Sequence, residues 1–80
     1  MKIKILFFAE LKEIFGPSQF MDIHEGATVG DIVDILTIKS DWLHSKKDFF
    51  IYAVNENFET AGKKLENNDE LALMTPLSGG

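Results

Sequence analysis

One amphipathic helix is the feature of this 80-residue sequence that most limits what the chain can fold into. Thr28 can accept a hydrogen bond from an N-terminal N–H group, and Asp31 follows three residues later, a variant of the capping box. Apolar residues then recur with helical spacing, at Val29, Ile32, Val33 and Leu36. The spacing gives the helix one apolar face, and we expect that face to pack on a β-sheet.

The remaining pattern predicts strands on both sides of this helix in the chain. Alternating or continuously apolar runs bounded by turn residues are typical of strands. The predicted strands are Lys2–Ala9, Ser18–Ile23, Phe49–Asn55 and Glu70–Thr75, with a weak strand or loop over Phe58–Leu65. One or two helical turns are predicted over ELKEIF, residues Glu10–Phe15, and the polar stretch Ser40–Asp48 is predicted to be irregular.

This order of elements favours the α+β class over a doubly wound sheet, because two strands precede the helix and the rest follow it. The first and last strands are the most apolar, so we expect them to pair in the middle of a mixed sheet of four to five strands. The main helix would cross one face of that sheet, with a short extra helix beside it. Such an arrangement is the β-grasp of ubiquitin-like proteins. A chain of this length is predicted to form a single domain, residues 1–80.

Charge and composition exclude several classes of function. The net charge of −5 argues against nucleic-acid binding, which needs a basic face, and favours a positively charged protein partner. No apolar stretch approaches the roughly 20 residues that a membrane-spanning helix needs. The chain has no cysteine, which is consistent with a reducing cytoplasm.

No catalytic or metal site is predicted within the folded part of the chain, and we expect no bound cofactor. His24 and His44 are not spaced as metal ligands, and a turn histidine and a surface histidine are the simpler interpretation. Asp31 and Asp34 could share a helix face, but they lie on the polar side of the apolar stripe. A solvated helix face explains that pair better than acid–base catalysis does.

The aromatic residues predict a docking surface. Most of Phe7, Phe8, Phe49, Phe50 and Tyr52 are expected in the core, but one helix cannot cover both faces of a sheet. Some of these side chains should therefore be exposed, and an uncovered apolar face is a site for a protein partner.

The last residues, TPLSGG, predict a projecting tail over residues 76–80. Pro76 has no N–H group to give a sheet, so pairing should stop there, and the stretch from Thr75 to Gly80 could reach about 20 Å. Leu77 can anchor the tail in an apolar groove, while Gly79 and Gly80 can thread a narrow tunnel. The Gly80 carboxylate would then be the reactive group, after conversion to an acyl adenylate. A frayed terminus is the simpler interpretation of two glycines, but the strand, proline and apolar anchor together favour a working tail.

Three segments resemble the small, sulfur-carrier subunits of molybdopterin synthase, a ubiquitin-like β-grasp family. They are KILFFAELKEIFG at Lys4–Gly16, YAVN at Tyr52–Asn55, and NDELALMTPLSGG from Asn68 onward. One departure is Thr75, which stands where the family often has the first of two prolines, so the tail is expected to be less stiff.

The resemblance implies a reaction cycle at Gly80. A partner enzyme similar to ubiquitin-activating enzymes would use ATP to adenylate this residue, and delivered sulfur would convert it to a thiocarboxylate. The tail, with Gly79, Ser78, Leu77 and Pro76, would enter the large subunit of molybdopterin synthase and give its sulfur to precursor Z. Two small and two large subunits are expected to form a heterotetramer.

Three alternatives share parts of this interpretation. The chain could be a ubiquitin-like modifier joined to target lysines through Gly80, or a sulfur carrier of another pathway such as thiamine synthesis. It could also be an adaptor that uses only an exposed sheet face.

Overall fold

The computed structural model describes residues 1–76, which form five strands and three short to medium helices. The strands are β1 (Lys2–Phe7), β2 (Ser18–Asp22), β3 (Ile51–Val54), β4 (Asn57–Glu59) and β5 (Glu70–Met74). The helices are α1 (Glu10–Phe15), α2 (Val29–Thr37) and α3 (Asp41–Ser45), and a 3₁₀ turn covers Lys47–Phe49.

The sheet has the order β2-β1-β5-β3-β4, with the first and last strands paired at its centre. β1 and β5 run parallel, with Ile5 opposite Leu71 and Phe7 opposite Leu73. The other neighbouring strands are antiparallel. The predicted α+β class and the mixed β-grasp sheet are therefore confirmed, and so is the central pairing of the two most apolar strands.

α2 begins as the sequence predicts. The Thr28 hydroxyl accepts a hydrogen bond from the Asp31 N–H at 3.2 Å, and the Asp31 carboxylate accepts one from the Thr28 N–H at 2.9 Å. A loop satisfies another early donor, because the Gly30 N–H donates to the Ala61 carbonyl at 2.8 Å. A Cβ atom at residue 30 would lie 3.2 Å from that carbonyl oxygen, so glycine permits this close approach.

The core lies between α2 and one face of the sheet. Its fully or almost fully buried side chains include Ile3, Ile5, Phe7, Leu71 and Leu73 from the sheet and Val29, Ile32 and Val33 from α2. Each such side chain contributes about 1.5–3 kcal/mol on removal from water. α1 is held to the end of β1 by stacking of Phe7 on Phe15, whose ring centroids are 4.9 Å apart.

The prediction that Ser40–Asp48 is irregular is wrong, because this segment contains α3 and the start of the 3₁₀ turn. The Ser40 hydroxyl caps α3 by accepting a hydrogen bond from the Leu43 N–H at 3.2 Å, and Leu43 is buried. The predicted strand Phe49–Asn55 is shorter than expected, since Phe49 closes the 3₁₀ turn and pairing begins at Ile51. β1, β2 and β5 end one or two residues earlier than predicted, and of the weak strand or loop predicted over Phe58–Leu65 only the first two residues are in a strand, β4.

His44 is half-buried and joins α3 to α2, which corrects its prediction as a surface histidine. The hydroxyl of the fully buried Thr37 donates to the Val33 carbonyl at 2.8 Å. Its only proton is then used, so the same oxygen accepts from His44 Nδ1, 3.0 Å away. This places a proton on Nδ1 of His44.

Tyr52 is the one residue of the described part whose pKa is clearly shifted. Partial burial raises its pKa above the ordinary value of 10.0, and the negative charges of Asp48 and Asp34 raise it further. The Tyr52 hydroxyl also donates a hydrogen bond to the Lys47 carbonyl at 3.0 Å. These features make Tyr52 part of the junction between β3 and the 3₁₀ turn.

Thr37→Val is expected to lower the free energy of unfolding by about 1–2 kcal/mol, because the valine keeps the shape but leaves His44 Nδ1 without its acceptor. Chemical denaturation measures this loss. Thr60→Val is the matched control, since Thr60 is exposed, and it should change stability by less than about 0.5 kcal/mol. Equal stability of the Thr37 variant and the parent protein would contradict the assigned hydrogen bond.

Tyr52 should ionise with a midpoint above pH 10.0 in the folded protein. It is the sole tyrosine, so tyrosinate absorbance during an alkaline titration reports it alone. Asp48→Asn should move the midpoint back toward that of the unfolded chain. Because folding favours the neutral phenol, Tyr52 makes its full contribution to stability below pH 10. That contribution is lost as the pH rises through the folded-state pKa. A midpoint at or below that of the denatured chain would contradict the environment assigned to Tyr52.

Candidate functional site

Within residues 1–76, no helix crosses the sheet face opposite α2, and the middle of that face is apolar. We call this surface the open sheet face. Its side chains alternate along each strand with the buried ones. Cross-strand pairs connect it from β1 to β4, since Leu6 lies opposite Ala72, Ala72 opposite Ala53, and Ala53 opposite Phe58. Ile51 opposite Met74 extends the surface toward the end of β5.

Exposed phenylalanines mark both edges of the open sheet face. Phe20 on β2 is 65% exposed and Phe58 on β4 is 79% exposed. The Lys2 and Lys4 ammonium groups lie 5.6 and 6.0 Å from the centroid of the Phe20 ring, and Asp22 is the cross-strand partner of Lys2, so this edge has a charged rim of both signs. Exposed apolar surfaces with large aromatic residues are typical of sites that bind a protein partner.

The prediction that some aromatic side chains are exposed is confirmed, and the open sheet face adds two phenylalanines that the prediction did not include. Phe7 and Phe50 are buried and Tyr52 is half-buried, while Phe8 and Phe49 are exposed. Sequence reasoning missed Phe20 and Phe58, which lie in the two edge strands. Phe58 stands between the polar residues Asn57 and Glu59, which was an available signal, whereas Phe20 is followed by the apolar Met21.

β5 ends one residue earlier than predicted, at Met74, and the last cross-strand pair is Ile51 with Met74. Thr75 is half-buried and Pro76 is exposed, with neither residue in a strand. Of the predicted tail, only Pro76 falls within the described residues. The other candidate site residues, Leu77, Ser78, Gly79 and Gly80, lie outside them.

A groove lies where the tail begins. It has a volume of about 140 Å³ and is lined by Glu10, Lys46, Phe49, Thr75 and Pro76, and we call it the root groove. Its lining comes from the start of α1, the C-terminal side of α3 and the end of β5. Sequence reasoning missed the root groove, because these residues are far apart in the chain.

The ionisable residues singled out from the sequence do not form a catalytic group. Asp31 serves the helix cap, and Asp34 forms an exposed ion pair with Lys47 at 3.0 Å. His24 is exposed in a turn and His44 bonds to Thr37. Within residues 1–76, no set of three histidine, cysteine or acidic side chains is placed to hold a metal ion. None of the helices in that range has the length and apolar character needed to cross a membrane.

Comparison with protein families gives one match that covers almost the whole chain. The model of the ThiS family matches residues 5–80. The chain is also 32% identical over 80 residues to the molybdopterin synthase sulfur carrier subunit of Arabidopsis thaliana, covering 99% of this chain and 83% of that protein. It is 37% identical over 82 residues to the protein of the same name from Drosophila ananassae, covering 98% of this chain and 90% of that one.

Solved structures agree with this match. SAMP1 from Haloferax volcanii, a small archaeal modifier protein, aligns with a TM-score of 0.81 and 30% identity, and the alignment covers 100% of both chains. A ubiquitin from Caldiarchaeum subterraneum aligns with a TM-score of 0.63 and 20% identity over 100% of this chain and 98% of that one. The second likeness concerns the fold alone, and it places this chain among ubiquitin-like β-grasp structures.

Proposed function

The chain belongs to the ThiS family, and from that premise we propose that it is a cytoplasmic sulfur carrier of molybdenum cofactor biosynthesis. The observation that carries the proposal is the similarity of nearly the whole chain to molybdopterin synthase sulfur carrier subunits. The geometry supports it, since sheet pairing ends before an exposed proline and the family match continues through Gly80.

The proposed chemistry takes place at the Gly80 carboxylate. A carboxylate oxygen attacks the α-phosphorus of ATP in a partner adenylating enzyme, and pyrophosphate leaves. Hydrosulfide then attacks the acyl carbon and AMP leaves, which produces a thiocarboxylate. The thiocarboxylate sulfur passes to precursor Z, and water supplies the oxygen that restores the carboxylate. Gly79 and Gly80 suit this cycle because they carry no side chain to obstruct the attack.

The folded part of the chain serves in this proposal as the surface that partners hold. β5 lies at the centre of the sheet, so the tail starts beside both the open sheet face and the root groove. A partner that covers the open sheet face also holds the start of the tail. We assign this face to the large subunit of molybdopterin synthase, in a heterotetramer of two small and two large subunits, and to the ubiquitin-activating-like enzyme that uses ATP.

Protein modification through Gly80 is a second candidate, favoured by the 30% identity with SAMP1 over the full chain. Both functions begin with adenylation, so they differ in what accepts the activated carbon. Denaturing gels of cell extracts separate them. Covalent ladders that disappear when Gly79 and Gly80 are deleted support a modifier, whereas thiocarboxylate without ladders supports a carrier.

The sulfur-carrier proposal predicts an oxygen-to-sulfur exchange at Gly80. The intact mass of the protein from its native cell, or after coexpression with an adenylating and sulfurating system, should increase by the difference between the two atoms. Deletion of Gly80 should abolish the increase and leave the melting temperature nearly unchanged, because the described core ends before the tail. An unchanged mass, in a system that converts a control carrier, would refute the proposal.

Alanine at both edges of the open sheet face is expected to weaken binding to the large subunit. Phe20→Ala and Phe58→Ala should each raise the dissociation constant about 10-fold, since exposed aromatic residues are frequent binding hot spots. Ile38→Ala is the matched control, because Ile38 is 69% exposed but lies at the end of α2, on the opposite side of the sheet. Calorimetric titration measures all three, and equal losses for the control would show that the docking face is assigned wrongly.

A further inference from the structure

The root groove is a preformed surface feature at the start of the tail. We propose that the root groove binds an arginine side chain of the molybdopterin synthase large subunit, an inference that rests on the proposed function. The volume of about 140 Å³ is below the range of about 300–1,000 Å³ that is usual for cofactor and substrate pockets. The root groove therefore suits one side chain of a protein partner rather than a free small molecule.

One wall of the root groove is an exposed aromatic ring. Phe49 is 67% exposed, whereas its neighbour Phe50 is buried in the core. The 3₁₀ turn fixes the backbone here, because the Phe49 N–H donates to the Lys46 carbonyl at 2.9 Å and the Phe50 N–H donates to the Lys47 carbonyl at 3.2 Å. The turn thus presents the Phe49 ring beside Pro76, and the two rings give the root groove an apolar wall.

Two charged side chains border that wall, the Glu10 carboxylate and the Lys46 ammonium group. Within residues 1–76, no cation lies at ion-pair distance from the Glu10 carboxylate. The Lys46 ammonium group, which also borders the root groove, lies 5.1 Å from the centroid of the Trp42 ring. Lys47 is engaged with Asp34. The root groove therefore offers a carboxylate that is available to a cation from outside.

The residue before Glu10 has a strained backbone conformation. Ala9 has φ 53° and ψ −131°, a conformation that residues other than glycine rarely adopt. Hydrogen bonds hold the chain on both sides of it: the Phe8 N–H donates to the Leu73 carbonyl at 3.1 Å, and the Lys12 N–H donates to the Ala9 carbonyl at 3.1 Å. The start of α1, with Glu10, is consequently fixed against the end of β5.

Arginine fits these features better than the other side chains. Its planar guanidinium group pairs with a carboxylate and stacks on an aromatic face, and its aliphatic stem can pack against a proline ring. The net charge of −5 also favours a basic partner surface. A protein that takes the tail into its own active site must come close to the root groove, so the occupant is assigned to that protein.

The test measures binding of the full chain to the purified large subunit from the same genome. Glu10→Gln should weaken binding about fivefold at low ionic strength, and the effect should shrink as salt is added. Phe49→Ala should weaken binding about 10-fold. The matched controls are Glu13→Gln, an exposed acid on the same helix, and Ile38→Ala, and both should bind as the parent chain does. Melting temperatures within about 2 °C of the parent show that the variants are folded.

Arginine variants of the large subunit identify the occupant. One arginine-to-alanine change in the large subunit should weaken its binding to the parent chain. The same change should not weaken its binding to the Glu10→Gln variant any further. If Glu10→Gln and Phe49→Ala both bind the large subunit as tightly as the parent chain does, the root-groove assignment is wrong and the proposed partnership still stands. A loss with Phe49→Ala but not with Glu10→Gln also overturns it, because the occupant is then apolar. Absence of binding by the parent chain overturns the proposed partnership and the assignment together.

Discussion

The parallel pairing of β1 with β5 is the interaction on which the rest of the structure depends. It joins the two ends of the described chain and aligns Ile5 and Phe7 with Leu71 and Leu73, all of which are almost completely buried. Backbone hydrogen bonds beyond the strands lengthen the contact, since the Asn68 N–H donates to the Lys2 carbonyl at 2.8 Å. The central position of β5 also decides where the chain leaves the sheet, which is between the two halves of the sheet, after Met74.

Parallel strands usually have both faces covered, and here the covering is incomplete. α2 covers one face of the central pair, and residues 1–76 contain no second long helix for the other. The small side chains Ala53 and Ala72 keep the middle of the open sheet face shallow, while Phe20 and Phe58 rise at its edges. A surface of this shape exposes apolar area that burial in a partner would stabilise, which connects the size of the domain to its proposed role as a carrier.

Local sequence signals predicted the elements that are stabilised by interactions between residues close together in the chain. The Thr28 and Asp31 cap and the spacing of α2 were confirmed, because a capped, amphipathic helix is encoded within a few turns. α3 was missed, since five residues are too few for a periodic pattern and Leu43 is its one buried residue.

The open sheet face and the root groove could be identified only from the tertiary structure. Assigning Phe20 and Phe58 to one face requires the strand registers, which the sequence pattern does not contain. The root groove brings together Glu10, Lys46 and Pro76 only after the sheet closes, so no reading of neighbouring residues could have found it.

A single docking face imposes an order on the proposed cycle. Within residues 1–76, three side chains that can exchange protons are engaged in structure: Asp31 caps α2, Asp34 pairs with Lys47, and Tyr52 bonds to a backbone carbonyl. In the proposed cycle, the activating enzyme and the large subunit supply the catalytic groups that act on Gly80. Because the proposal assigns both partners to the open sheet face and the tail, one carrier molecule cannot serve them together. The carrier has to dissociate from the first before it binds the second, which requires interfaces strong enough to position the tail and weak enough to release it.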